Sequence, residues 1–271
     1  MSHAISHAGI GTIERSVRRA RLLAYARWQA LDFTINIGIV SLVLFGMLGV
    51  IGLMDIHMAE HSFSGMGKTM PVSMKLKSFL QIWGMFAAVA PIIATTGVAS
   101  QDRSAGYSRF LFAKPLSPRL FYLQSWLVRF AGFLALGTAL VVVYSMYEPP
   151  TFGWRFLVDM TISFVSMSGV VFLLSVITRF DGLIAAGFLL LGEVVWVKWE
   201  GARGLKHLVL YLFPPVSHLG APHYWLIGIN AVDKMTDVPF PTTWVAWNVG
   251  YGLACLLLGI YLLRKVSLTK A

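Results

Sequence analysis

Charged residues are scarce in this chain. They make up 13% of its 271 residues, whereas soluble domains carry roughly 25%. Acidic residues are the scarcer sign, with 12 Asp and Glu against 22 Lys and Arg, and 57% of the chain is hydrophobic. This composition excludes an ordinary soluble domain and predicts an integral membrane protein with room for about six spans of roughly 20 residues.

Two kinds of motif are also missing. Cys255 is the only cysteine, which excludes an intramolecular disulfide and a cysteine metal cluster. Residues 65–69 (GMGKT) superficially look like a phosphate-binding P-loop, but the full pattern needs a glycine five residues before Gly67, where Ser62 stands. That pattern also needs a preceding strand and a following helix, whereas this segment lies between two apolar runs. Any nucleotide must therefore bind elsewhere.

Histidines leave an alternative open. His57 and His61 lie four residues apart, and three more follow at His207, His218 and His223. If the loops that carry them met, these side chains could bind a metal or haem, as in a membrane redox anchor or an intramembrane enzyme. No carboxylate-rich motif such as HExxH accompanies them, so the default interpretation is surface histidine and no metal.

Apolar runs predict a single all-α membrane domain over residues 1–271 with six transmembrane helices. The predicted spans are about 33–54, 78–100, 119–144, 154–178, 183–198 and 244–263. The basic and apolar residues of 1–32 predict an amphipathic helix on the membrane surface. Prolines between residues 200 and 241 break that apolar segment into pieces too short to cross, which predicts an external re-entrant or interfacial helical hairpin before the last span.

Positive charge predicts the orientation. Fourteen of the 22 Lys and Arg residues fall on one side of the predicted spans, the side that carries both termini. Because cytoplasmic loops are enriched in Lys and Arg, both termini are predicted to be cytoplasmic. Anionic membrane lipid accounts for the basic charge, so no nucleic-acid partner is predicted.

One charged segment, residues 101–126, is caught between two long apolar runs. It combines four positive charges with an apolar stripe at helical spacing: Arg103, Arg109, Lys114 and Arg119, and Tyr107, Phe110 and Leu111. Pro115 is expected to end a helix near Lys114, and Pro118 suits the first turn of the next one. The segment is predicted to be a short amphipathic helix, a break and a re-entry into the membrane.

The residues of this segment resemble a known signature. Asp102 and Gly106 lie four apart, the pair Leu111-Phe112 follows, and residues 114–117 (KPLS) lead into a predicted span. This series resembles the signature of ABC-2 type transporter permeases, the membrane subunits of ATP-binding cassette exporters. Asp102 stands where glutamate is commoner in that family.

The resemblance implies a transport subunit and not an enzyme. In the family this piece is the coupling helix, which docks on a separate ATPase subunit. Aromatic residues and arginine are frequent anchors at such interfaces, and the candidate coupling residues are Asp102, Arg103, Gly106, Tyr107, Arg109, Phe110, Leu111 and Lys114. The resemblance further implies a homodimer in the inner (cytoplasmic) membrane with two ATPase copies, which bind ATP and Mg; the chain itself is expected to need no cofactor.

Candidates for a substrate pathway come from the apolar spans. Aromatic side chains there favour a hydrophobic or amphipathic substrate, while Pro91 predicts a kink beside a pair of threonines. Glu193 lies inside a predicted span, where an acidic residue is either a structural ion-pair partner or part of a cavity lining; both roles stay open. The candidates are Trp83, Phe86, Thr95, Thr96, Glu193 and Trp196.

Overall fold

The computed structural model describes most of the predicted spans and isolated positions between them. The described residues are 20, 22–39, 43, 46–47, 49–50, 54, 57–58, 61, 72–100, 102, 117–145, 154–178, 180–199, 203–204, 210, 213, 225 and 239–269.

Six helices carry the described fold. We label them α1 (22–39), α2 (Val72–Thr95), α3 (Pro118–Ser145), α4 (Arg155–Ile177), α5 (Asp181–Trp199) and α6 (Thr242–Thr269). Within α1, Thr34–Gly38 forms a π-helical turn. No strand occurs among the described residues, so the prediction of an all-helical protein is confirmed for them.

Four of these helices are long and apolar enough to cross a membrane. The segments are Pro118–Val142, Arg155–Ile177, Asp181–Trp199 and Thr242–Leu263. The apolar window of α4 is 78% buried, against 22%, 24% and 33% in the other three. Helix α4 is therefore the central member of the bundle. The count of six spans stays a prediction.

Backbone contact joins α4 to α6. A Cβ atom added at Gly169 would overlap the carbonyl oxygen of Gly252, and one added at Gly252 would overlap the carbonyl oxygen of Val165. Further along, a Cβ at Gly259 would lie 2.8 Å from the Phe172 ring. Small residues at helix interfaces allow such close approach, which in a lipid environment is a main source of packing energy.

An aromatic core ties α2 and α3 to α4. The Phe86 and Phe133 rings stack with centroids 5.1 Å apart, and Phe133 packs on Phe164 of α4 at 5.3 Å. Two buried indoles also donate hydrogen bonds to α4: Trp83 Nε1 to Asp159 Oδ2 at 2.6 Å and Trp126 Nε1 to Ser168 Oγ at 2.9 Å. Aromatic packing with satisfied indole N–H groups fixes the three helices relative to one another.

Helix α2 ends earlier than the predicted span of 78–100. Its last residue is Thr95, and Gly97 has a φ of 81°. This left-handed conformation favours glycine, since a side chain there would be strained. The hydroxyls of Thr95 and Thr96 donate to the carbonyl oxygens of Pro91 and Ile92 in the last turn.

We expect the glycine contact between α4 and α6 to be intolerant of even one methyl group. Gly169→Ala should lower the free energy of unfolding by about 1–3 kcal/mol, because the two backbones must separate. Gly250→Ala is the matched control on α6, since nothing lies within 4 Å of its added Cβ. Thermal unfolding of the purified protein measures both; equal losses would contradict the specific role of the Gly169–Gly252 contact.

Candidate functional site

A buried arginine stands at the centre of the candidate site. Arg129 lies on α3, 8% exposed, about 16 Å along the helix from Pro118. Its guanidinium donates to the carbonyl oxygen of Ala94 at the end of α2. Helix ends expose such unpaired carbonyls and carry negative partial charge, so a cation is favourable there.

Three acidic residues act on this guanidinium through their charge. Asp32 of α1, Asp102 and Asp181 of α5 all interact electrostatically with Arg129. We call these four residues the Arg129 cluster. It brings together charges from α1, from the segment after α2, from α3 and from α5. The cluster therefore has three acidic residues and one basic residue.

Asp181 is held by the turn that ends α2. The carboxylate, 3% exposed, accepts a hydrogen bond from the Gly97 N–H at 2.7 Å and one from the Ser100 hydroxyl at 3.2 Å. Asp181 is also the first residue of α5, where the positive end of the helix dipole favours an anion. The next residue, Gly182, leaves space for Thr96, since a Cβ there would lie 2.9 Å from the threonine methyl. The start of α5 is thus fastened to the end of α2.

Asp102 links the predicted coupling stretch to α3. Its carboxylate accepts a hydrogen bond from the buried Tyr122 hydroxyl. Burial raises the pKa of Asp102 above its usual value; the Tyr122 hydrogen bond and the charge of Arg129 oppose the increase, and the charge of Asp32 adds to it. Burial dominates because it disfavours the charged form of the acid.

The other predicted coupling residues lie outside the described residues. They are Arg103, Gly106, Tyr107, Arg109, Phe110, Leu111 and Lys114. Asp102 is therefore the one member of that set whose surroundings are described, and it lies in the Arg129 cluster.

The predicted pathway residues on α2 are packed inside the chain. Trp83 and Phe86 are 0% and 1% exposed and belong to the aromatic core described above. Thr95 is buried as well, and its hydroxyl, like that of Thr96, bonds within the last turn of α2. In this structure of one chain, these four residues contribute to packing and to the end of α2.

Trp196 lies at the opposite end of the bundle, among aromatic residues. Its Nε1 donates to the carbonyl oxygen of Phe213 at 3.2 Å, and its ring meets that of Trp244 edge-on at 6.1 Å. Nearby along the same end, the Trp225 ring lies under the Arg155 guanidinium at 5.1 Å. Glu193 belongs to α5, but its side chain lies outside the described part of the structure.

Two of the five candidate histidines, His57 and His61, belong to the described residues. The rings of His57 and His61 meet edge to face with centroids 4.6 Å apart. Within the described part of the chain, no three His, Cys, Asp or Glu side chains are grouped as a metal site requires. His207, His218 and His223 lie outside that part.

Sequence reasoning missed three members of the Arg129 cluster. The charge pattern assigns Arg129 to the cytoplasmic side, Asp181 lies in the short connection between the predicted spans 154–178 and 183–198, and Asp32 falls in the predicted surface helix of residues 1–32. A signal existed: Arg129 lies eleven residues inside the third span, and charges inside membrane spans are usually paired or functional.

Comparison with known proteins adds no relative. No protein-family model matches the chain, and no curated protein or solved structure matches it either.

We expect Arg129 to be structurally indispensable, whereas an exposed arginine of the same helix is not. Arg129→Gln leaves three carboxylates without their counter-ion and should cost about 3–5 kcal/mol of folding free energy. Arg119→Gln, at an exposed site near the start of α3, should change it by less than about 0.5 kcal/mol. Thermal unfolding in detergent compares the two, and similar melting temperatures for both variants would contradict the cluster's role.

The pKa of Asp102 predicts a pH-dependent stability. A carboxyl group whose folded-state pKa is raised contributes stability fully below its unfolded pKa of about 3.9, and that contribution is lost as pH rises through the folded value. Asp102→Asn does not titrate, so it should gain stability relative to the wild type as pH rises from about 4 to 7. Unfolding temperatures of both proteins across that range test the sign; a difference that shrinks with rising pH would contradict it.

Proposed function

We propose that this chain is the permease subunit of an ATP-binding cassette exporter. It would act as a homodimer in the inner membrane, both termini in the cytoplasm, with two copies of a separate ATPase that bind ATP and Mg. The proposal includes six spans and an external hairpin before the last one. It extends the observed set of four membrane-length helices with the charge distribution and the resemblance of residues 102–117 to ABC-2 permeases.

The observation that carries the proposal is the position of Asp102. This residue opens the segment that resembles a coupling helix, and its carboxylate lies in a buried cluster with charges from α1, α3 and α5. A docking segment that only rested on lipid headgroups would need no such connection. A segment that receives force from an ATPase must be attached to the helices that it moves.

The proposed mechanism follows from this attachment. ATP binding closes the ATPase dimer and displaces the segment of residues 102–114. Because Asp102 is bonded to Tyr122 and faces Arg129, the displacement reaches α3 first, and α5 follows through Asp181. Rearranged helices then open a pathway between the two permeases for a hydrophobic or amphipathic substrate.

We expect three substitutions in the coupling segment to separate the ATPase from the permease. Phe110→Ala removes an aromatic anchor, Arg109→Glu reverses a charge, and Gly106→Leu blocks close backbone approach. Each should weaken co-purification with the ATPase at least about tenfold, or uncouple hydrolysis from transport in reconstituted vesicles, if the side chain is a contact worth about 1.4 kcal/mol or more.

A control distinguishes docking from general damage. Trp154→Ala truncates an exposed aromatic residue at the opposite end of the bundle and should leave ATPase association unchanged. Permease folding and dimerisation should persist in all four variants. Wild-type association and wild-type transport in all three coupling variants would refute the assignment of residues 102–114 as the coupling element.

A further inference from the structure

Helices α1 and α3 pack against each other along a face that contains a glutamine. The Tyr25 ring meets Phe121 edge-on at 5.9 Å, and the Phe33 ring lies against Gly132, where a Cβ would overlap it. Gln29 lies four residues from both Tyr25 and Phe33, so it occupies the same helical face and points toward α3.

This interface leaves polar groups unsatisfied. Gln29 is 6% exposed, and neither its Oε1 nor its Nε2 has a hydrogen-bond partner among the described residues. Across the interface, Gln124 Nε2 donates to the carbonyl oxygen of Leu22 at 2.6 Å, while its Oε1 is likewise buried with no partner there. Buried polar groups without partners cost free energy and call for an explanation. The observed register of α1 on α3 therefore does not satisfy its own amides.

A π-helical turn follows directly on this face. It spans Thr34–Gly38, one residue after Phe33, and the Ile39 N–H donates to the carbonyl oxygen of Thr34 five residues earlier. Such a turn holds one more residue than an α-helical turn, and π-turns are frequent at functional sites. If the extra residue is released into regular helix, the part of α1 that carries Gln29 and Asp32 shifts relative to α3.

Charges hold the present register. Asp32 of α1 and Asp102, the first residue of the predicted coupling segment, both attract the same guanidinium, that of Arg129 on α3. Two carboxylates on separate segments therefore share one cation. When one of them moves away, the pairing of the other is free to change.

We propose that α1 and α3 form a joint with two registers. Arg129, shared between Asp32 and Asp102, holds the register seen here. Displacement of Asp102 releases α1 into a second register in which the amides of Gln29 and Gln124 gain partners. The trigger rests on the proposed function, because the displacement of Asp102 is assigned to the ATPase. The existence of two registers does not depend on that function.

Gln29 provides the most specific variant. Gln29→Met keeps the size and removes the unsatisfied amide, so it should raise the unfolding temperature by about 2–4 °C while trapping the present register. Asn248→Leu is the matched control: Asn248 is a buried amide on α6 whose Oδ1 also lacks a partner among the described residues. Because its Nδ2 donates to the carbonyl oxygen of Trp244 at 3.1 Å, Asn248→Leu should gain less stability than Gln29→Met, and it should leave the joint free.

Distances between spin labels read out the register. With Cys255 replaced by Ala, cysteines at Leu31 of α1 and Leu127 of α3 carry labels at exposed positions. A second pair at Leu157 and Leu253 reports on α4 and α6 and should stay constant. In nanodiscs, Asp102→Asn alone should move the first distance by about 1.5 Å or more, the rise of at least one residue. Addition of the ATPase and ATP should change the first distance of the wild-type permease by a similar amount, and Gln29→Met should abolish both changes.

The two-register joint and the proposed function can be refuted independently of each other. If no ATPase associates but Asp102→Asn still shifts the first distance, the joint is supported and the proposed function fails. If the ATPase associates and hydrolyses ATP while the first distance stays fixed in every protein, the joint is refuted and the proposed function stands. An Asn248→Leu variant that also loses the shift would refute the specific role of Gln29.

Discussion

A guanidinium cannot lie inside an apolar helix bundle without partners, and this requirement shapes the end of the molecule where Arg129 lies. The cost of burying the charge is offset by a helix-end carbonyl and by carboxylates from three other segments. The carbonyl oxygen of Ala94 is available to the guanidinium because α2 ends at Thr95. Asp181 is available because α5 begins beside the turn at Gly97. The ends of two helices are thus placed by one buried cation.

Two kinds of interface divide the bundle. Between α4 and α6 the contact is backbone against backbone at Gly169 and Gly252. Packed interiors of this kind resist gradual deformation. Between α1 and α3 the contact mixes aromatic packing with amide atoms that lack partners among the described residues, and the Arg129 guanidinium there attracts two acids from other segments. The first interface suits a fixed frame, and the second suits a moving part.

The sequence predicted the all-helical character well, because apolar runs of sufficient length leave few alternatives in a membrane. Helix α3, at Pro118–Ser145, differs from the predicted span of 119–144 by one residue at each end, since Pro118 marks its start. The end of α2 was placed five residues too late. Residues 96–100 are apolar enough to continue a span, but Gly97 turns the chain so that its N–H reaches Asp181, a residue 84 positions away. The cluster around Arg129 was not predicted for the same reason: the residues that interact with it come from distant segments.

Lipid also explains why a charge, and not an apolar contact, would link the coupling segment to the bundle. An apolar side chain gains little by leaving lipid for a protein surface, because the two environments are alike. For a carboxylate, a nearby guanidinium and a tyrosine hydroxyl offset part of the cost of burial, and they do so only in one direction. In the proposed exporter, Asp102 is therefore the residue that transmits displacement along a defined line to α3, and the predicted apolar stripe beyond it is left for a different contact. The same proposal assigns Asp102 to the membrane helices and the predicted aromatic anchors to the ATPase.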